Sequence, residues 1–171
     1  MASAAVIKAG SEDVRANYDI TYVSGKRTIS ASEKKLTVTA NSHSWMYDGQ
    51  QHADGGYTVT YGSESYTVNA GESATLSTGD KVTAVITKQV KNVSDTKAGN
   101  NIITSLIVQN KAQYESIKYE AGTLTITQKP LTITADRDAK VYDGTPLTQN
   151  SYTNSALADG DKIESVTITG S

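Results

Sequence analysis

His43, Trp45 and His52 bring two imidazoles and the chain's single indole close together in sequence, with the Asp48 carboxylate between them. Imidazole and carboxylate groups bind metals and move protons, and an exposed indole stacks on sugar rings or anchors an interface. Tyr57 and Tyr61 follow at a spacing that puts both on one face of a strand. Trp45, His43, Tyr57 and Tyr61 therefore make a candidate ligand patch. Each has a plainer reading, which is preferred: Trp45 lies across a sheet edge, and the tyrosines fill the core of a chain that has no Phe.

Other chemistries find little support. Asp136 with Asp138, and Asp159 with Asp161, have the alternating spacing of calcium loops but not the full 12-residue pattern. There is no Gly-x-Ser-x-Gly motif, no Ser-His-Asp set and no Gly-rich phosphate loop. The absence of cysteine excludes disulfides, thiol chemistry and Cys-based metal sites. Lys and Asn are plentiful enough for an internal isopeptide cross-link, yet no spacing singles out a pair. The expectation is a chain with no catalytic residues, no cofactor and no metal. A net charge of −2 gives no reason to expect nucleic acid. No apolar run reaches about 18 residues, so no membrane span is expected.

The elements that would position these residues come in repeats. Residues 34–49 read KKLTVTANSHSWMYDG and residues 129–144 read KPLTITADRDAKVYDG, an offset of 95. Residues 20–30 read ITYVSGKRTIS and residues 117–127 read IKYEAGTLTIT, an offset of 97. An ending thus precedes a full unit, and a beginning follows it. The division expected is a C-terminal half-repeat over 1–30, a complete repeat over 31–128 and an N-terminal half-repeat over 129–171, cut from a longer protein. In this alignment His43 matches Asp138 and Trp45 matches Lys140, which predicts exposure for both. From Tyr-Asp-Gly to Gly-Asp-Lys the central unit needs 14 more residues than the last one. They are read as a surface hairpin inserted at about 50–74.

Thr occurs 23 times and Tyr 10 times, and period-two alternation recurs along the chain. These features predict strands over 19–23, 36–40, 57–61, 66–68, 81–87, 102–108, 116–119, 123–127, 131–135 and 164–169. Residues 11–18 and 110–114 each have room for one helical turn. Tyr47-Asp48-Gly49 and Tyr142-Asp143-Gly144 read as tight turns in which Asp caps backbone amides and Gly takes positive φ. The fold class expected is mainly β: tandem small β-sheet domains in a rod-like array, with a β-grasp-like α+β fold carrying one short helix as the alternative. The Gln128-Lys129-Pro130 joint is short and stiff.

These motifs resemble the MBG-type repeats, including the Tyr-Asp-Gly class, of bacterial cell-surface proteins. Residues 129–148, KPLTITADRDAKVYDGTPLT, with ADGDKIESVTITGS, are similar to the first half of such a repeat. Residues 4–29 are similar to its second half. The central unit departs through its insertion and through Trp45 and Met46. The resemblance implies a repeated extracellular β module of adhesins and other wall-associated proteins, with no catalytic residues. The function expected is a structural stalk or spacer on the bacterial surface. Its partners would be neighbouring repeats or further copies, meeting head-to-tail through the complementary half-repeats. The alternative is a module that binds a host glycan or host protein through Trp45 and the insertion.

Overall fold

The computed structural model describes residues 4–168, and the chain divides into two compact units, one ending at Ala31 and the next beginning at Ser32. The first unit holds a two-residue antiparallel ladder, β1 (Lys8–Ala9) with β2 (Glu12–Asp13). A three-residue 3-10 turn, Arg15–Asn17, follows within the segment expected to turn helically. The strand expected over 19–23 is not formed, and no residue from 18 to 31 lies in a strand. The alternation is present, but no neighbouring strand supplies its ladder hydrogen bonds.

Among the described residues the second unit has thirteen strands. They are β3 (Leu36–Ala40), β4 (His43–Met46), β5 (His52–Ala53), β6 (Tyr57–Tyr61), β7 (Glu64–Val68), β8 (Ala74–Thr75), β9 (Lys81–Ile86), β10 (Gln89–Val90), β11 (Ile103–Val108), β12 (Ile117–Glu120), β13 (Leu124–Thr127), β14 (Ile133–Ala135) and β15 (Tyr152–Asn154). A four-stranded sheet has the order β12-β3-β6-β7 and a three-stranded one the order β11-β9-β8. Alternate residues of both sheets meet in one core: Leu36 and Val38 of β3, Tyr57, Val59 and Tyr61 of β6, Val82 and Ala84 of β9. The Thr residues of β3 and β6 take the intervening positions and are only half buried, as the period of two requires. The protein is mainly β. Among the described residues its helical pieces are 3-10 turns of three residues, so the helix of the β-grasp-like alternative is not there.

The first and last strands of the central repeat run side by side. β12 pairs parallel with β3, Ile117 opposite Leu36, and β13 continues parallel along β4, Leu124 opposite His43. Both paths bend at the same level, at Asn41-Ser42 and at Ala121-Gly122. There the fully buried Asn101 exchanges two backbone hydrogen bonds with Gly122, at 3.0 and 2.9 Å. Its side-chain amide donates to the carbonyls of Asn41 (2.8 Å) and Asp54 (3.0 Å). The approach at Gly122 is so close that a Cβ there would overlap the Asn41 carbonyl oxygen. Glycine is required here by space.

The insertion differs from its expectation. β6 and β7 form a hairpin, but β6 is an inner strand of the main sheet and Tyr57 is fully buried. The reason lies in the register of the last repeat. β14 pairs with β15 as Ile133↔Asn154, Thr134↔Thr153 and Ala135↔Tyr152. β3 pairs with β6 as Val38↔Val59, Thr39↔Thr58 and Ala40↔Tyr57. Each residue of one set lies 95 positions from its counterpart in the other, so Tyr152 stands where Tyr57 stands. The 14 extra residues begin only after Val59, and they supply β7 and its turn. Of the strand expected over 164–169, residues 164–168 are not in a strand, and Thr169 lies outside the described residues. β4 and β15, neither of them expected, both form.

Candidate functional site

β4 places His43 and Trp45 on one face by alternation, and the chain then reverses to bring His52 back on β5. The reversal is made by Asp48, whose Oδ1 accepts from the Gln50 amide at 2.9 Å, and by Gly49 at φ 82°. The indole of Trp45 ends between the two imidazoles. The His43 ring is stacked on it at 4.2 Å between centroids and 6° between planes, the His52 ring at 4.9 Å and 17°. Below it lies a second small core of Val90, Leu124 and Ile126, with Tyr47 alongside.

Each imidazole is aimed by a carboxylate. His52 Nε2 lies 3.0 Å from Asp48 Oδ1, and His43 Nδ1 lies 3.4 Å from Asp54 Oδ2. Asp54 also accepts from the Gly56 amide at 2.8 Å and the Asn41 side chain at 3.2 Å. The Gln50 amide and then the His52 ring hold the Asp48 carboxyl below its ordinary range. Among the described residues the hydrogen-bond partners of the two imidazoles are carboxylates and not hydroxyls. Two imidazoles stacked on the indole reduce the ring surface open to a sugar. Trp45 is half buried, against the exposure expected for it, because the stack and the small core enclose it. Met46 and the outer side of His43 remain open to solvent. Among the described residues no group of three or more His, Cys, Asp or Glu is placed to hold a metal ion.

Tyr57 and Tyr61 do not join this patch. Both rings are buried in the main core. The Tyr57 hydroxyl donates to the carbonyls of Glu72 (2.8 Å) and Val82 (3.2 Å). Tyr61 meets Ser32 Oγ at 2.7 Å and packs edge-on against Tyr114. The four-residue ligand patch is therefore corrected to His43 and Trp45, joined by His52.

The two Tyr-Asp-Gly motifs make the same turn. Asp143 Oδ1 accepts from the Thr145 amide at 2.9 Å, and Gly144 lies at φ 78°. Their tyrosines differ. Tyr47 packs on the small core, and its hydroxyl donates to Asp161 Oδ1 at 3.3 Å, across the joint to the last repeat. That carboxylate raises the Tyr47 phenol above its ordinary value. Gly49 sits so close to the Asp159 carbonyl that a Cβ would come within 2.8 Å of it. Tyr142 is 91% exposed. Sequence reasoning missed the close approach at Asn101 and Gly122. Its signal was the glycine held at 25 and 122 in both copies of the closing motif.

No protein-family model matches the chain, and comparisons with curated proteins and with solved structures found no match.

Proposed function

We propose that this chain is a non-catalytic stalk or spacer repeat of a bacterial surface adhesin, of the MBG type that its motifs resemble. The observation that carries the reading is the parallel closure of the central repeat. Its entering strands, β3 and β4, lie alongside its leaving strands, β12 and β13, through two runs of four register pairs. Tension applied at the two ends pulls these strands past each other in opposite directions. The ladder is then loaded in shear, and its hydrogen bonds must yield together rather than one by one as in a peeled hairpin. A spacer under hydrodynamic or host-cell load needs this property; a soluble enzyme does not.

The joint to the next repeat supports the same reading. Residues 128–132 separate β13 from β14, and Tyr47 and Gly49 touch the 158–161 turn directly. The stacking of His43 and His52 on Trp45 weighs against the glycan-binding alternative, because it reduces the indole surface open to a sugar.

Single-molecule stretching between Ser32 and Gln128 tests the proposal. The expected result is an unfolding force clearly above that found when the same domain is pulled across the β6–β7 hairpin. Equal forces in the two directions would remove its support. Saturable binding to host glycans that Trp45→Ala abolishes in a folded protein would favour the alternative.

A further inference from the structure

The sandwich of the central repeat closes unevenly. On one side β7 adjoins β8. On the other, β11 and β12 face each other across an open cleft of about 440 Å³, lined by Ile103, Leu106, Val108, Ile117 and Tyr119 among others. Three observations single out the β12 lip. The first is Tyr119. It shares a face of β12 with Ile117, which packs on the main core, yet it is 63% exposed. The second is the backbone. The Leu36 amide donates to the Ser116 carbonyl at 3.1 Å, and Ile117 stands opposite Leu36. In that parallel register Lys118 and Glu120 turn their backbone groups to β3, while Ile117 and Tyr119 turn theirs outward, because successive residues of a strand present N–H and C=O to opposite sides. β12 is an end strand of its sheet among the described residues. The third is charge. The edge reads Ile117-Lys118-Tyr119-Glu120-Ala121 and is complementary to its own reverse. Lys118 and Glu120 share the solvent face, with Lys118 Nζ 2.6 Å from Glu120 Oε1.

We propose that β12 pairs antiparallel with β12 of a second copy of this chain, around a two-fold axis at Tyr119. Tyr119 then stands opposite Tyr119, Lys118 opposite Glu120, and Ile117 opposite Ala121. The outward N–H and C=O of Tyr119 exchange two hydrogen bonds with their equivalents in the partner. Lys118 and Glu120 fall at the pairs between, where side chains of opposite strands lie closest. Each copy therefore gives an ammonium to the other's carboxylate and a carboxylate to its ammonium. A slip of two residues either way would set Lys118 against Lys118 or Glu120 against Glu120, so charge fixes the register. The two phenol rings lie on the core side and cover the apolar lining of the cleft. Asn101 holds the edge at Gly122, which ends the ladder there. The same edge serves in both copies, so the contact is isologous and closes at two chains.

Light scattering on the full chain against concentration tests the pairing. Concentrations up to about 1 mM bring an interface at the small end of the specific range into view. The expected result is a mass that rises from 18.1 kDa and levels at twice that value. Tyr119→Pro removes the outward N–H without touching a bond to β3, and should hold the mass at one chain. Charge exchange supplies a second readout. Lys118→Glu alone and Glu120→Lys alone each set like charges opposite one another, and each should stay at one chain. An equimolar mixture of the two restores opposite charges at both positions and should form the dimer. Mixing could not rescue a defect confined to the ion pair within one chain. A constant mass near 18.1 kDa for the parent, a mass that climbs past two chains, or a mixture no heavier than its components overturns the proposal. Any of these leaves the spacer reading standing, since the stretching experiment concerns strand pairs within one chain.

Discussion

At Gly122 a single hydrogen atom in place of a methyl group lets the two bent, parallel paths lie against each other. Gly122→Ala must push the Asn41 carbonyl away and break the paired hydrogen bonds to Asn101. We expect a loss of about 3 kcal/mol or more in urea denaturation, in the range of severe core disruptions. Gly25→Ala, with nothing near it, should change stability by no more than about 0.5 kcal/mol. Asn101 works with Gly122. Its orientation is fixed because turning the amide would point Oδ1 at two carbonyls. Asn101→Ala strands both carbonyls in the interior, at about 1–3 kcal/mol for each group left unpaired. Asp80 gives the acid response. The Tyr114 hydroxyl and then the Asn110 amide, each at 2.7 Å, lower its carboxyl below the ordinary 3.8. A carboxyl depressed on folding contributes stability above its unfolded value and loses it as pH falls through the folded one. Asp80→Asn should therefore lower the melting temperature at pH 7, and the difference from the parent should shrink below about pH 4. An equal difference at pH 7 and pH 2 would remove Asp80 from this role.

The elements follow from pairing as much as from pattern. Residues 117–127 and 20–30 share the same alternation, yet only the first becomes β12 and β13, because only there do β3 and β4 lie alongside. β13 is protected on its other edge too. Asn100 accepts from the Leu124 amide at 2.7 Å and Thr96 from the Ile126 amide at 2.9 Å, so side chains close an edge that would otherwise invite another strand. Most long strands were legible from alternation and turn residues: β3, β6, β9, β11, β12 and β13 lie within about a residue of their expected bounds. β4 was missed because HSWM does not alternate apolar with polar, and its strand is imposed by β13. The candidate site was half legible. His43 and Trp45 were singled out, but their stacking depends on the Asp48 turn returning His52, which spacing alone does not give. Tyr57 and Tyr61 were named both as core and as patch, and burial decides for core. Tyr57→Phe should cost about 1 kcal/mol by removing a buried hydroxyl donor. The single tryptophan makes the small core observable. Its fluorescence and the far-ultraviolet dichroism should report one urea transition if the sandwich and the small core unfold together.

At the scale of the molecule, the joint deserves a direct experiment. Tyr47→Ala removes the hydrogen bond to Asp161 and opens the packing beside Ala158, which is 7% exposed. Limited proteolysis should then cut near residues 128–131 well before the parent chain is cut there. Unchanged cleavage would mean that proline and chain length alone hold the joint. Parallel closure has one more consequence, for geometry. A domain whose first and last strands are antiparallel neighbours returns the chain to the pole where it entered. Here the chain enters at one pole and leaves at the other, and from Leu36 to Met46 it advances roughly 35 Å at about 3.3 Å per residue. On the proposed spacer reading, every duplication of such a unit would add a fixed increment of distance, and a genome would set how far the protein extends by counting copies, without altering a residue inside any of them.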